Sequence, residues 1–271
     1  MANIREVAAI VQVVRDFQDQ NVIHVNNTID PKDDIEVINA ELILKDLEAV
    51  EERLSKVEKL ARTNMKLNPQ VDFLKGLKAS LEKGELSYHY HNDEDEEILK
   101  LRKELFLLTD KPFIYLVNTS NLTQPIADIK SRLGLSIEDI VLPIDVKMEY
   151  EISRLNPEER KEYIEELGLQ TTGLEKLSKI AYEVLGLISY FTSGKEEVRA
   201  WTIRKGDDAR EASAAIHNDF RDKFIAADVV AYDDFIANNG WEGSRKNGKV
   251  RLEGKEYIVK DGDLMIFKHG A

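Results

Sequence analysis

Three rhythms of apolar and polar positions run along the chain. The first is the short continuous run. IVQVV at 10–14, FIYLV at 113–117 and IVLPI at 140–144 are rich in β-branched residues, too short for helices, and bounded by polar residues, so each reads as a buried strand. NVIHV at 21–25 reads as a further extended piece. A helix is expected at 126–133, between the last two runs, and strand, helix, strand in that order implies parallel pairing in a layered α/β sheet.

The second rhythm is helical. DPKDDIEVINAELILKDLEAVEERLSKVEKLA opens on helix-starting aspartates and Pro31, with apolar residues at Ile35, Ile38, Leu42, Leu47, Val50, Leu54, Val57 and Ala61. From Leu47 onward the spacing alternates three and four, which gives an amphipathic helix needing a helical partner. The expected partner is 71–84, returning after the break at Asn68-Pro69, with a third helix at 95–109. Together they form a helical hairpin or coiled coil, and the acidic spacer at 88–97 reads as a solvated turn. The segments 156–169 and 173–191 also read as helical.

The third rhythm begins near residue 198. VRAWTIRKG, FIAADVVAY, KVRLEGKEYIV and DLMIFKH read as strands, with Glu253-Gly254 and Asp261-Gly262 as hairpin turns among the last three. One helix, near 211–220, is expected to pack across them, giving a small mixed sheet that grasps a helix.

At 271 residues the chain exceeds what one core usually supports, so two or three units are expected. The net charge of −13 gives no bulk attraction to nucleic acid, and any RNA contact needs a local basic patch. Cysteine is absent, which excludes disulfides and a thiol nucleophile and fits a reducing compartment. No signal layout or membrane-length apolar run is present, so a cytoplasmic location is expected.

Few residues carry chemistry. Ser193-Gly194-Lys195 resembles part of a phosphate loop, but G-x-x-x-x-G-K-[ST] would need glycine at position 189 and a hydroxyl at 196, where Ser189 and Glu196 stand. His89 and His91 beside Asp93 and Glu94 read as a solvated loop, and no metal site is expected. His217 and Asp219 are two apart on a helix and so face different directions, which argues for packing over a catalytic pair. The polar cluster Asn118, Thr119, Ser120 and Asn121 ends a strand where α/β sheets bind ligands, and Asp145 ends the next one. Side-chain amides there suit a base edge, although the cluster also reads as an ordinary polar loop.

NIREVAAIVQVVRDFQDQNVIHV, LTDKPFIYLVNTSN, YFTSGKEEVRAWTIRKG, AAIHNDFRDKFIAADVVAYDDF and GKVRLEGKEYIVKDGDLMIFK, with the long helical segment above, resemble the Obg-like ATPase family, also called the YchF type. The resemblance implies a partial P-loop GTPase-like parallel sheet (1–44 and 104–190) interrupted by a helical coiled-coil insertion (45–103). An α+β ubiquitin-like β-grasp module, the TGS domain, follows at 191–271. The family's phosphate loop, first switch and D-x-x-G motif have no counterpart here, so the chain resembles the portion after the second switch, a fragment or a shortened relative. Phosphoryl transfer depends on those parts, so this chain alone is not expected to hydrolyse nucleotide.

The family's N-x-x-E base motif falls on Asn118, Thr119, Ser120 and Asn121, with neutral Asn121 in place of the carboxylate. By match, Asn118 and the backbone of Thr119 are expected to contact the adenine of ATP. Asp145, Val146 and Lys147 occupy the second base-contacting loop, and Mg²⁺ is expected only in the intact family protein. The family is thought to work on ribosomes. Arg204, Lys205, Arg245, Lys246 and Arg251, among aromatic residues, make a candidate contact patch for the ribosome or its RNA. The alternative reading is a scaffold without nucleotide turnover. An uncovered sheet edge is also expected to favour self-association.

Overall fold

The computed structural model describes residues 7–17, 30–91, 95–194 and 197–270. It divides into two compact units, Met1–Ser178 and Lys179–Ala271. The extended piece expected at 21–25 lies outside the described residues.

The first unit is built on a parallel sheet of β1 (Ile10–Arg15), β2 (Phe113–Asn118) and β3 (Ile140–Ile144) in that spatial order. Register pairs Val14 with Val117 and Leu116 with Leu142, so the three apolar runs form one hydrophobic slab. Residues 113–117 of β2, the central strand, are all buried, as expected of a strand with both faces covered. Helix α1 (Pro31–Ala61) begins where Asp30 Oδ1 accepts the amides of Lys32 and Asp33 at 3.1 and 3.2 Å. Its Ile35 and Leu42 pack with Val14, Tyr115 and Val117 on one face of the sheet.

Farther along the same helix, Ile43, Val50 and Val57 join a different cluster. That cluster contains Leu74 and Leu77 of α2 (Asn68–Glu82) and Leu101 of α3 (Glu96–Leu105). Salt bridges Glu58–Lys75 at 2.9 Å and Glu51–Lys78 at 2.8 Å run in opposite senses along the two helices, so α1 and α2 are antiparallel. Helix α1 is continuous through residues 44 and 45, and one rod of 31 residues serves both the sheet and the hairpin.

Helix α4 (Ile126–Leu133) connects β2 to β3, and its Ile129 and Leu133 close the sheet core. After β3 come α5 (Val146–Ser153), α6 (Pro157–Glu166) and α7 (Gly173–Val184). The helix expected to reach residue 191 stops at Val184, and Leu187–Ser193 is strand β4 of the second unit. Gly186, with φ of 60°, breaks the helix. The apolar spacing that imitates a helix belongs to a strand hydrogen-bonded on both sides.

The second unit is a five-stranded sheet in the order β5-β4-β8-β6-β7. Its strands are β4, β5 (Val198–Arg204), β6 (Phe224–Ala231), β7 (Arg251–Glu253) and β8 (Asp263–His269). β4 and β8 are parallel and the other neighbours antiparallel. The single helix expected near 211–220 is two, α8 (Ala209–Ala214) and α9 (Asn218–Asp222). Ala209 and Ala212 lie in the core with Tyr190, Val229 and Met265. The strand expected over 249–259 shortens to β7. Both β7 and β8 pair with β6 and not with each other. Short helices α10 (Tyr232–Ala237) and α11 (Trp241–Lys246) follow β6.

Candidate functional site

At the carboxyl end of the first sheet, β2 delivers Asn118 and β3 delivers Asp145. Parallel pairing of Asn118 with Ile144 sets the two polar ends side by side. The backbone is pinned there: Asp16 N–H donates to Asn118 O at 2.9 Å, and Thr119 N–H donates to Ile144 O at 2.9 Å. Asn118 Oδ1 accepts the Val146 amide at 3.2 Å, a bond that ties the end of β2 to the first turn of α5. With its oxygen so engaged, the Asn118 amide has Nδ2 left as a donor.

Asp145 caps α5 through Oδ1, which accepts from Met148 N–H at 3.0 Å. One oxygen of its carboxylate is therefore engaged by the helix start. Thr119 is 5% exposed, and its hydroxyl accepts from Asn121 N–H at 3.2 Å. Asn121 Oδ1 accepts from the Thr123 hydroxyl at 3.0 Å, so this side chain too has its carbonyl occupied. The rim thus carries two amide groups whose oxygens are engaged within the protein.

Three residues that sequence reasoning passed over complete the site. Thr123 sets the orientation of Asn121. Glu149, on the first turn of α5 and 5% exposed, accepts the amides of Gly173 and Leu174 at 2.5 and 3.3 Å. Gly173 must lack a side chain, because a Cβ there would lie 2.6 Å from Ile144 Cγ1 and 2.9 Å from Glu149 Oε1. The signals available were a carboxylate four residues after Asp145 and a glycine opening an apolar-periodic helix; neither stands out among so many acidic residues.

His217 is the N-cap of α9, its Nδ1 accepting from Asp219 N–H at 3.2 Å. His89 Nε2 lies 3.3 Å from Asp139 and 3.4 Å from Ser136 Oγ; both contacts fall on one nitrogen, which does not make a proton relay.

The basic residues of the second unit do not form one patch. Arg204 and Lys205 stand at the end of β5 and Arg251 on β7, the opposite edges of a five-stranded sheet, roughly 19 Å apart at four strand spacings. Arg245 pairs with Asp228 at 3.3 Å and Lys246 with Glu242 at 2.8 Å. Arg251 pairs with Glu253 at 3.3 Å and meets the Tyr257 hydroxyl at 3.0 Å. Burial and the bond to Asp263 push the Tyr257 phenol up to about 12, with Arg251 opposing. Among the described residues, Arg204 and Lys205 make no ion pair. On the same strand Arg199 lies over the Trp201 ring at 4.2 Å.

The first unit is an α/β protein built on a parallel sheet with a polar carboxyl-end rim. Residues 187–270 match the YchF-GTPase C-terminal family model, whose description reads "Protein of unknown function (DUF933)". The chain is 43% identical to the Ribosome-binding ATPase YchF of Bacillus subtilis over 99% of its own length and 75% of that protein's. It is 36% identical to the Obg-like ATPase 1 of Gallus gallus over 99% of its length and 70% of the relative's. The solved structure of the Schizosaccharomyces pombe YchF GTPase superposes with a TM-score of 0.84 at 33% identity, covering 98% of this chain and 74% of that one. The chain belongs to the YchF/Obg-like ATPase family.

Proposed function

We propose that the first unit carries the base-recognition half of an adenine-nucleotide site and that the second unit carries a ribosome-docking surface. The observation that supports the first part best is the pairing of Asn118 Oδ1 with the Val146 amide. It fixes the side chain so that its NH₂ is offered to an acceptor on the base. In the family's motif the fourth position faces the purine's N1 edge. Asn121, with its oxygen held by Thr123, offers a donor there, which suits the bare N1 of adenine and opposes the N1–H of guanine. The residues present fit the base of ATP. They do not supply a cradle for its triphosphate or Mg²⁺, because these 271 residues contain no G-x-x-x-x-G-K-[ST] sequence. On this reading the chain alone binds adenine without turning ATP over.

Calorimetric titration with adenosine, guanosine and ATP tests the proposal. Adenosine binding that Asn118→Ala abolishes is expected, and Asn121→Asp should move preference toward guanosine. Equal heats for both bases in the wild type would refute it.

Relatives are named ribosome-binding ATPases, and we extend that partner to this chain. The sheet order, with the central strand β8 parallel to its neighbour β4, supports reading the second unit as a β-grasp module of the TGS type, and the α1–α2 hairpin as the coiled-coil insertion. Of the five candidate residues, Arg204 and Lys205 are the two that make no ion pair with a carboxylate among the described residues. Removing both should lower the salt dependence of ribosome binding by about two counterions. An unchanged slope in a salt titration would exclude them. We extend the expected cytoplasmic location to this reading.

A further inference from the structure

On the proposed reading, base recognition depends on where the Asn118 amide points, and a residue outside the base-contacting loop bears on that direction. Asn118 Oδ1 is held by Val146 N–H, the first amide of α5. The orientation of the side chain is therefore as good as the placement of that first turn. Helix α5 has only eight residues, and its cap, Asp145, fixes the turn from one side.

The other side is fixed by Glu149. Its carboxylate is buried and lies against the N-terminal amides of α7, 2.5 Å from Gly173 N and 3.3 Å from Leu174 N. A buried carboxylate is costly unless its oxygens are satisfied, and the orphan amides of a helix start satisfy it well. The close approach requires glycine at 173: a Cβ would strike Ile144 Cγ1 at 2.6 Å and Glu149 Oε1 at 2.9 Å. Thr172 and Glu175 hold the same turn in shape by reciprocal bonds of 3.1 Å. The end of β3, the first turn of α5 and the start of α7 are thereby locked into one block.

We propose that Glu149 is a positioning residue for base recognition: through the α7 amides it fixes the first turn of α5, and through Val146 it sets the orientation of the Asn118 side-chain amide. The inference rests on the proposed base site. Its own readout, the Asn118 amide, is measurable without any ligand.

The test uses the full chain and two variants. Glu149→Gln keeps the shape and removes the charge. Gly173→Ala leaves the carboxylate and drives a methyl into the contact. Nitrogen–proton spectra follow the Asn118 NH₂ pair and the Val146 amide, and calorimetry measures adenosine binding. Both variants should shift or broaden the Asn118 and Val146 signals and weaken adenosine binding about tenfold, the worth of one net hydrogen bond. Resonances elsewhere in the sheet, such as Leu116, should stay in place. Unmoved Asn118 and Val146 signals in a folded variant would overturn the inference, as would moved signals with unchanged affinity. A wild type that binds no adenosine, with the Asn118 signal still responding to both variants, would refute the base-site proposal and leave the clamp standing.

Discussion

Replacing Asp46 by alanine should unfold the first unit more readily than any exposed change, and the size of the loss can be worked out from the contacts. Asp46 is 1% exposed on α1 and accepts three hydrogen bonds of 2.7 Å: from Leu108 N–H, Thr109 N–H and the Thr109 hydroxyl. It anchors the turn that feeds β2 to the helix lying over the sheet. Thr109 Oγ1 also accepts from Ser87 N–H at 2.9 Å, and Arg102 donates to Ser87 O and Tyr90 O, each at 2.9 Å, so the same knot ties in the hairpin. In Asp46→Ala two buried amides lose a charged acceptor at about 1–3 kcal/mol each, while the hydroxyl can turn elsewhere. Relief of the buried charge returns part of that sum, leaving a net loss of about 2–5 kcal/mol. Asp46→Asn keeps one acceptor and should lose about 2 kcal/mol.

Urea unfolding followed by far-ultraviolet circular dichroism measures the loss. With a slope near 2 kcal/mol per molar, the alanine midpoint should fall by about 2 M and the asparagine midpoint by about 1 M. Both tryptophans, Trp201 and Trp241, lie in the second unit, so their emission supplies a separate record. An alanine midpoint within about 0.3 M of wild type would mean that the knot contributes nothing net, and the reasoning from unsatisfied donors would fail.

Alkaline stability gives a second test. Burial raises the Tyr115 phenol from 10.0 to about 12, with Asn39 opposing, and Tyr88 and Tyr190 are raised as well. A raised phenol favours the protonated fold, so this stability is complete below pH 10 and is lost as pH climbs toward 12; Tyr115→Phe should flatten that fall in pH-dependent unfolding. At Gly76 in α2, an added Cβ would land on the Tyr90 hydroxyl, so Gly76→Ala should cost about 1–3 kcal/mol despite its better helix propensity, and a gain in melting temperature would contradict the packing. Val11 and Val13 on β1 are 41% and 65% exposed. Self-association through that strand should appear as concentration-dependent sedimentation that Val13→Lys abolishes; a concentration-independent monomer in the wild type would exclude it.

What could be read from the sequence follows from which signals are local. The three strands of the first sheet announce themselves because a parallel strand is apolar on both faces, and each run is closed by a polar residue where the chain leaves the sheet. Asp30 before Pro31, and Asn156 with Glu159, mark helix starts through bonds within three residues. Strand β4 is hidden because its apolar residues continue the phase of α7, and only its strand partners, from Val198 in β5 to Leu264 in β8, decide between helix and strand.

The candidate site divides in the same way. Asn118 and Asp145 are legible as polar residues ending apolar runs. The orientation of Asn118 depends on a bond across 28 residues to Val146 and that of the α5 turn on one across 24 residues from Glu149 to Gly173, whereas Asp145 is held by a local bond to Met148. The role of Asn121 is an intermediate case. Its residue type shows that a carboxylate is missing, but a neutral amide can donate or accept. Which of the two it offers depends on the Thr123 hydroxyl two residues on. On the proposed reading, base preference at this rim would be a property of the folded loop as well as of the four-residue motif, because the Thr123 hydroxyl holds the Asn121 carbonyl.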